Sequence, residues 1–326
     1  MPSSRFLSAA GVACGALVLL LGPAFLDLFW MRVVTFALMF AALATALNVT
    51  AGLTGYPAFG DVVWFGIGST ATGVLMAKAH WPFAAAVPVA VALCTVVALL
   101  VGPSLLRLRG NYFAIGTLAL NEATRALVQN LGVTGGPLGL SLPLTSGSVE
   151  STARFFYYLF LGVLALGLGV TLVVVHSRLG FGLRAIRASE GAAEALGVRT
   201  TMLKTTAWTI SASLIGLTGA FYAYWITFIE PPAVFDVGIS IKMFVVLLLG
   251  GVGTIFGPVI GAFGLQLLET EVWSNFVSYH LLILGLIVIG LVLVLPGGVA
   301  SFLRSRRRDL AWLVGRRPAP RPARGG

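Results

Sequence analysis

The chain alternates long apolar runs with short polar breaks. Ten such runs can be delimited, at 7–26, 33–51, 62–79, 83–106, 112–131, 155–175, 205–227, 239–253, 254–270 and 279–295. A helix needs about 20 apolar residues, and no fewer than about 17, to cross the hydrocarbon of a bilayer. The pattern therefore predicts an all-α, polytopic membrane helix bundle of about ten transmembrane helices. The runs at 239–253 and 254–270 are of marginal length.

The distribution of Lys and Arg predicts the orientation of these helices. If the C-terminus is cytoplasmic, sixteen of the 21 Lys and Arg residues face the cytoplasm and three face the opposite side. Cytoplasmic loops of membrane proteins carry this excess of positive charge. We expect both termini to be cytoplasmic. We also expect one transmembrane domain at 1–303, followed by a basic, Pro-rich tail at 304–326 without stable structure.

Composition agrees with a membrane protein. Hydrophobic residues make up 58% of the chain and charged residues 10%, with a mean hydropathy of +0.98, whereas soluble domains carry about a quarter charged residues. The net charge of +10 lies in loops and in the tail, so it indicates membrane topology and contact with lipid, and no nucleic-acid partner. Cys14 and Cys94 lie inside apolar runs, where a disulfide is not expected.

The longest polar break between apolar runs is 177–204. At helical spacing it predicts one amphipathic helix with an apolar stripe and a charged stripe. The apolar stripe is Leu183, Ile186, Ala193 and Leu196, and the charged stripe is Arg184, Arg187, Glu190 and Glu194. Gly197 is expected to end the helix. Such a helix either lies on lipid headgroups or meets a partner protein.

Two stretches are too rich in glycine for ordinary spans, Gly52–Gly68 and Gly250–Gly261. Paired segments interrupted by Gly and Pro point to a transport pathway. The alternative is close helix packing through small residues. On the first interpretation the pathway residues are Gly55, Tyr56, Asp61, Glu122, Arg125, Gly250, Gly251 and Gly253.

Ionisable residues within apolar runs are costly and usually functional. Glu122 and Arg125 are spaced i, i+3 and are expected to pair on one helix face. Lys242, Glu269 and Glu271 lie near the ends of their runs, where we expect their side chains to reach the headgroups.

No catalytic or metal-binding motif is recognisable. The phosphate-binding pattern G-x-x-x-x-G-K-[ST] is also missing from the sequence. Nucleotide that drives transport would therefore be bound by another chain.

Four stretches in order carry a resemblance to a known family. Arg184–Gly197 resembles the cytoplasmic coupling loop of ABC importer permeases, whose E-A-A…G pattern falls on Glu190, Ala192, Ala193 and Gly197. We therefore call residues 177–204 the coupling segment. The other three are LRLRGNYFAIGTLALNEATR at 106–125, TGGPLGL at 134–140 and GGVGTIFGPVIG at 250–261. Together they resemble the LivM-type permeases of branched-chain amino-acid importers, over about residues 42–298.

The resemblance implies an inner-membrane, multi-pass permease subunit of an importer. Its partners would be a second permease of the LivH type, two ATP-binding subunits and a periplasmic substrate-binding protein. ATP and Mg would be bound by the ATPases, with no cofactor on this chain. The coupling residues would be Arg187, Glu190, Ala192, Ala193, Glu194 and Gly197, and charge reversal at both glutamates is expected to uncouple transport without loss of the fold.

One departure from the family leaves the substrate open. Residues 55–61 read GYPAFGD, where the family often has G-Q-x-S-x-G-H. Branched-chain amino acids, urea and short amides all stay possible. Two other functions stay open on the residues alone: an ion-coupled secondary transporter that uses Asp61 and Glu122, and a membrane scaffold that does not transport.

Overall fold

The computed structural model describes residues 15, 17–108, 110–143, 147–275 and 285 of the protein. The run at 279–295, the tail at 304–326 and the beginning of the run at 7–26 lie outside the described residues. Eleven α-helices are defined within the described ranges: α1 (Leu28–Leu47), α2 (Val62–Ala77), α3 (Phe83–Leu105), α4 (Asn111–Asn130), α5 (Val149–His176), α6 (Arg178–Ala188), α7 (Glu190–Ala195), α8 (Thr200–Ile226), α9 (Pro231–Val234), α10 (Val237–Gly250) and α11 (Gly257–Asn275).

The remaining elements are short. The wider turn of a π-helix, Asn48–Gly52, continues α1, and three 3₁₀ turns lie at Gly22–Ala24, Gly132–Thr134 and Gly136–Leu138. Two strands, β1 (Leu140–Ser141) and β2 (Phe228–Ile229), pair antiparallel with Leu140 opposite Ile229.

The prediction of an all-α membrane bundle is confirmed. Among the described residues, five helical stretches are long and apolar enough to cross a bilayer: Leu28–Gly52, Phe83–Leu105, Val149–His176, Thr200–Ile226 and Pro231–Gly250. The apolar helix α2 is shorter than these. Ten spans and cytoplasmic termini stay predictions.

The helices α1, α2 and α8 form the centre of the bundle. The most apolar window of α1 is 83% buried, as expected of a helix that is apolar on all sides. Between α2 and α8 the backbones touch: a Cβ on Gly68 would lie 2.1 Å from the carbonyl oxygen of Gly216, and one on Gly219 would lie 2.2 Å from that of Phe65. Small residues thus allow these helices to approach closely.

The coupling segment lies at one end of the bundle. The 27 residues of α8 span roughly 40 Å at 1.5 Å per residue. The coupling segment leads into the N-terminus of α8, and the β1–β2 pair follows its C-terminus. These two features therefore lie at opposite ends of the bundle.

We expect Gly219→Ala to lower the free energy of unfolding by about 1–3 kcal/mol, because the added methyl would force α8 away from the α2 backbone. The measurement is the melting transition of the purified protein in detergent. Gly169→Ala in α5 is the matched control, since a Cβ there meets nothing within 4 Å. A control variant that melts as low as Gly219→Ala would refute this explanation.

Candidate coupling and pathway site

The coupling segment is two helices, so the prediction of one continuous helix is wrong. Ser177 accepts a hydrogen bond from the Gly180 N–H at the start of α6, and Ser189 does the same for Ala192 at the start of α7. Ser189 has extended backbone angles, φ −167° and ψ 110°. This residue resets the helical phase between α6 and α7.

The change of phase alters the predicted apolar stripe. Leu183, Ile186 and Ala193 are buried as expected, but Leu196 is 85% exposed. The stripe prediction is therefore wrong for Leu196, because it assumed an unbroken helix through Ser189. Leu196 is instead exposed at the tip of the segment that enters α8.

The prediction that Gly197 ends the helix is confirmed. Gly197 has φ +84°, and its N–H donates to the Glu194 carbonyl at 2.9 Å. The Val198 N–H donates to the Ala193 carbonyl at 3.0 Å. These two bonds form the Schellman ending, which requires a left-handed residue and so favours glycine.

Glu190 faces the bundle rather than a partner. Its side chain is 14% exposed, and its Oε1 lies 2.6 Å from the Nζ of Lys204, whose side chain is 3% exposed. Lys204 also donates to the Leu106 carbonyl at 2.9 Å, and the Tyr56 hydroxyl donates to Glu190 Oε2. Lys204 Nζ lies 4.4 Å from the centroid of the Tyr56 ring. We call Glu190, Lys204 and Tyr56 the buried charge cluster.

The other charged residues of the segment also bond within the chain. Glu194 accepts a hydrogen bond from the Thr200 hydroxyl at 2.8 Å. Arg184 donates to the carbonyls of Val175 and Gly180, at 2.8 and 3.1 Å. Arg184, Arg187 and Glu194 nevertheless stay exposed, so Glu190 is the member of the predicted charged stripe that turns into the bundle. Reversal of Glu190 would place like charges together in a buried site.

Arg187 connects the coupling segment to the first glycine stretch, where its guanidinium donates to the carbonyl of Gly52. The two glycine stretches also contact each other. Asn48 Nδ2 donates to the Thr254 carbonyl at 2.8 Å, and the Gly253 N–H donates to Asn48 Oδ1 at 2.9 Å. The amide of Asn48 thus satisfies backbone groups of the second stretch.

Packing explains several of the glycines that suggested a pathway. A Cβ on Gly60 would lie 1.9 Å from the Thr117 carbonyl oxygen, and one on Gly250 would lie 1.9 Å from that of Gly257. Both positions admit only glycine because another backbone occupies the space. The remaining predicted glycines, Gly55, Gly251 and Gly253, have positive φ angles.

Asp61 lies in the packed core at the start of α2. It is fully buried, and the indole N–H of Trp208 donates to its Oδ1 at 2.7 Å. Asp61 Oδ2 and the indole nitrogen of Trp64 are both buried, and neither makes a hydrogen bond of normal geometry. The Trp64 and Trp208 rings meet edge to face, 5.1 Å apart. Asp61 therefore joins α2 to α8 through an aromatic cluster.

The predicted pairing of Glu122 with Arg125 is confirmed, at 2.6 Å between Oε2 and the guanidinium. The two side chains are 48% and 37% exposed, so the pair lies on the outer face of α4 rather than among the buried residues. Whether its loss weakens assembly or transport stays a prediction.

Lys242 and Glu269 do not extend separately to the headgroups as expected. They form an ion pair between α10 and α11, with side chains 23% and 20% exposed. Lys242 Nζ also lies 4.2 Å from the centroid of the Phe40 ring. A nearby acid is a better partner for the ammonium than a distant headgroup.

A cavity of about 330 Å³ opens at the end of the bundle opposite the coupling segment. Its walls include Arg32, Thr35, Phe156 and Trp225. None of the predicted pathway residues lines it.

Sequence reasoning missed Asn48 and Lys204. Asn48 is an amide inside an apolar run, four residues before Gly52, and Lys204 is a cation at the entry to a long span. A polar group placed within or at the edge of an apolar run was the available signal in both cases.

The comparison with known families agrees with this architecture. The family described as branched-chain amino acid transport system / permease component matches residues 29–295. The chain belongs to this family. It is accordingly an inner-membrane permease subunit, a transport protein rather than an enzyme, and the ion-coupled alternative through Asp61 and Glu122 is not favoured.

Individual permeases are similar over most of the chain. The LivM proteins of the high-affinity branched-chain amino acid transport systems of Salmonella typhimurium LT2 and Escherichia coli K12 are each 29% identical over 299 residues, which cover 83% of this chain and 70% of the relative. The autoinducer 2 import permease LsrC of Klebsiella pneumoniae is 28% identical over 223 residues, covering 60% of this chain and 62% of the relative. No solved structure matches the chain.

We expect Lys204→Met to lower the free energy of unfolding by about 3–5 kcal/mol, because it leaves the Glu190 carboxylate buried without its cation. Melting in detergent and limited proteolysis of the coupling segment measure the effect. The double variant Lys204→Met, Glu190→Gln removes both charges and should recover most of the loss. A double variant as unstable as the single one would contradict this account.

Proposed function

We propose that this chain is one of two permease subunits of an ABC importer for branched-chain amino acids. A periplasmic binding protein delivers the substrate, a LivH-type permease completes the membrane pathway, and two ATPase subunits bind ATP with Mg. Membership of the permease family and the two LivM relatives support this assignment. The observation on which it mainly depends is the outward face of α7.

The outward face of α7 and of the residue that follows it consists of small residues, Glu194 and Leu196. Ala192 and Leu196 are spaced i, i+4, so they lie on the same side of the turn, and both are exposed. Arg199 is exposed beside them. Glu194 is exposed on the same tip. A small apolar tip with charged residues at its edge fits a groove on a soluble protein, in the manner of helix-in-groove recognition.

The residues of the predicted coupling motif thus divide into two groups. Ala192, Glu194 and Gly197 are exposed and would contact the ATPase together with Leu196. Glu190 and Ala193 face the bundle, and the exposed Arg187 donates to the Gly52 carbonyl, so these three residues hold the segment against the bundle.

The mechanism that follows is alternating access. Closure of the ATPase dimer on ATP would move α7, and the helices attached to it would repack so that the pathway opens on the other side. Because α7 is attached to the bundle by a buried ion pair, this helix and its attachment points would move together. The pathway would then lie where the permease subunits meet or along the glycine stretches.

Two residues that depart from the family pattern have internal roles. Tyr56 bonds Glu190 and Lys204, and Asp61 bonds Trp208. Both residues are buried, so neither is exposed to a passing substrate in this arrangement. The departure at residues 55–61 therefore does not itself argue for urea or an amide over a branched-chain amino acid.

Reconstitution in liposomes with the partner permease and candidate ATPases tests the assignment. We expect ATP hydrolysis and uptake to rise when the binding protein is loaded with leucine, and not when it is offered urea or a short amide. Stimulation by urea alone would change the substrate but keep the importer. Failure of this chain to copurify with any ATPase would refute the importer assignment.

Leu196→Asp should abolish ATPase association, because the charge would have to be buried in the groove of the partner. Copurification of the ATPases measures it. Leu138→Asp is the matched control, since Leu138 is also 85% exposed and lies at the opposite end of the bundle, and it should leave ATPase association unchanged. Equal loss in both variants would mean that misfolding, rather than docking, is being measured.

A further inference from the structure

Arg187 lies across the point where the two glycine stretches meet. Besides its bond to the Gly52 carbonyl, its guanidinium nitrogen would lie 2.8 Å from a Cβ on Gly253, and its Cγ 3.3 Å from a Cβ on Gly55. The absence of side chains at Gly55 and Gly253 is what lets the arginine pass. One side chain of the coupling segment thus contacts both stretches.

Asn48, four residues before Gly52, bonds the second glycine stretch directly. It is 1% exposed, it begins the π-helix, and its amide bonds both Gly253 and Thr254. A Cβ on Gly52 would lie 1.8 Å from Asn48 Oδ1, so the amide occupies the space that a larger residue at 52 would need. We call Arg187, Asn48, Gly52, Gly253 and Thr254 the glycine junction.

The coupling segment has a second attachment close by. Residues 55–58 have no regular structure, and Tyr56 within them bonds Glu190 in the buried charge cluster. Arg187 at Gly52 and Glu190 at Tyr56 therefore hold the linker between α1 and α2 at two points. Both attachments are direct hydrogen bonds between the coupling segment and the stretch that joins α1 to α2.

We propose that Arg187 and Asn48 are positioning residues that pass the movement of α7 to the glycine stretches by direct contact. This proposal rests on the importer function proposed above. Short π-helical segments within α-helices are frequent at functional sites, and regions where a helix is broken absorb changes of backbone angle between packed elements. Movement of α6 and α7 would pull on the Gly52 carbonyl, and Asn48 would carry the displacement to Gly253.

Arg187→Met and Asn48→Leu test this link in the reconstituted importer with its ATPases, partner permease and leucine-loaded binding protein. The readout is leucine taken up per ATP hydrolysed, which a purely structural role would not change. We expect both variants to assemble and hydrolyse ATP, while the ratio falls by about fivefold or more, the lower end of usual coupling between sites.

Arg184→Met is the matched control. It removes the same charge from the same helix, but Arg184 bonds the carbonyls of Val175 and Gly180 and lies over the Phe181 ring, all outside the junction. We expect this variant to keep the wild-type ratio. The double variant Arg187→Met, Asn48→Leu should be no worse than the more affected single variant, because both changes break one link.

Several outcomes would overturn the proposal. A wild-type ratio in both single variants would show that the junction does not transmit movement, while wild-type ATP-driven uptake would still uphold the importer. Loss of assembly in both variants would show that the two residues are needed for folding, and the proposed role in transmission would be withdrawn. Multiplying losses in the double variant would mean two independent effects. If only one of the two variants fails to assemble, the uptake ratio of the other variant decides whether the junction transmits movement. Absence of ATP-driven uptake in the wild type would refute the proposed function itself.

Discussion

A bilayer offers no partner for a peptide N–H or C=O, and this requirement governs every place where the chain leaves helical geometry. Side chains from other helices complete these places. Arg187 bonds the Gly52 carbonyl, and Asn48 bonds the backbone of Gly253 and Thr254. The Val62 N–H donates to the hydroxyl of Ser240 at 3.0 Å, at the start of α2. The breaks are therefore tied to the rest of the bundle, as the proposed transmission of movement through the glycine junction requires.

Glycine serves two different purposes in the two stretches that first drew attention. At Gly60 and Gly250 it lets one backbone touch another, and no other residue fits. At Gly253 it adopts a φ of +82° and leaves room for the Arg187 guanidinium. Close packing thus explains some positions of a glycine-rich stretch and backbone conformation explains others, and composition alone does not separate them.

Much of the architecture could be predicted from the sequence, because apolar runs and capping residues act locally. The membrane bundle, the end of the helix at Gly197 and the Glu122–Arg125 pair all follow from spacing over a few residues. The direction of Glu190 could not be predicted, since its partner Tyr56 is 134 residues away. The break at Ser189 was missed because serine is tolerated within a helix as well as before one. A shift of phase there moved Leu196 from the core to the surface.

The sequence separations of the Glu190–Lys204 ion pair and the Asn48–Gly253 hydrogen bond have a consequence for biogenesis. Glu190 and Lys204 are 14 residues apart, so the acid and the base leave the ribosome almost together, and the lysine can enter the protein interior already neutralised. Asn48 and Gly253 are 205 residues apart, so that contact must wait until α10 has been synthesised and inserted. Chains fold from the N-terminus as they are made. The anchoring of the coupling segment is thus an early event in the life of the chain, and the joining of the two glycine stretches is among the last.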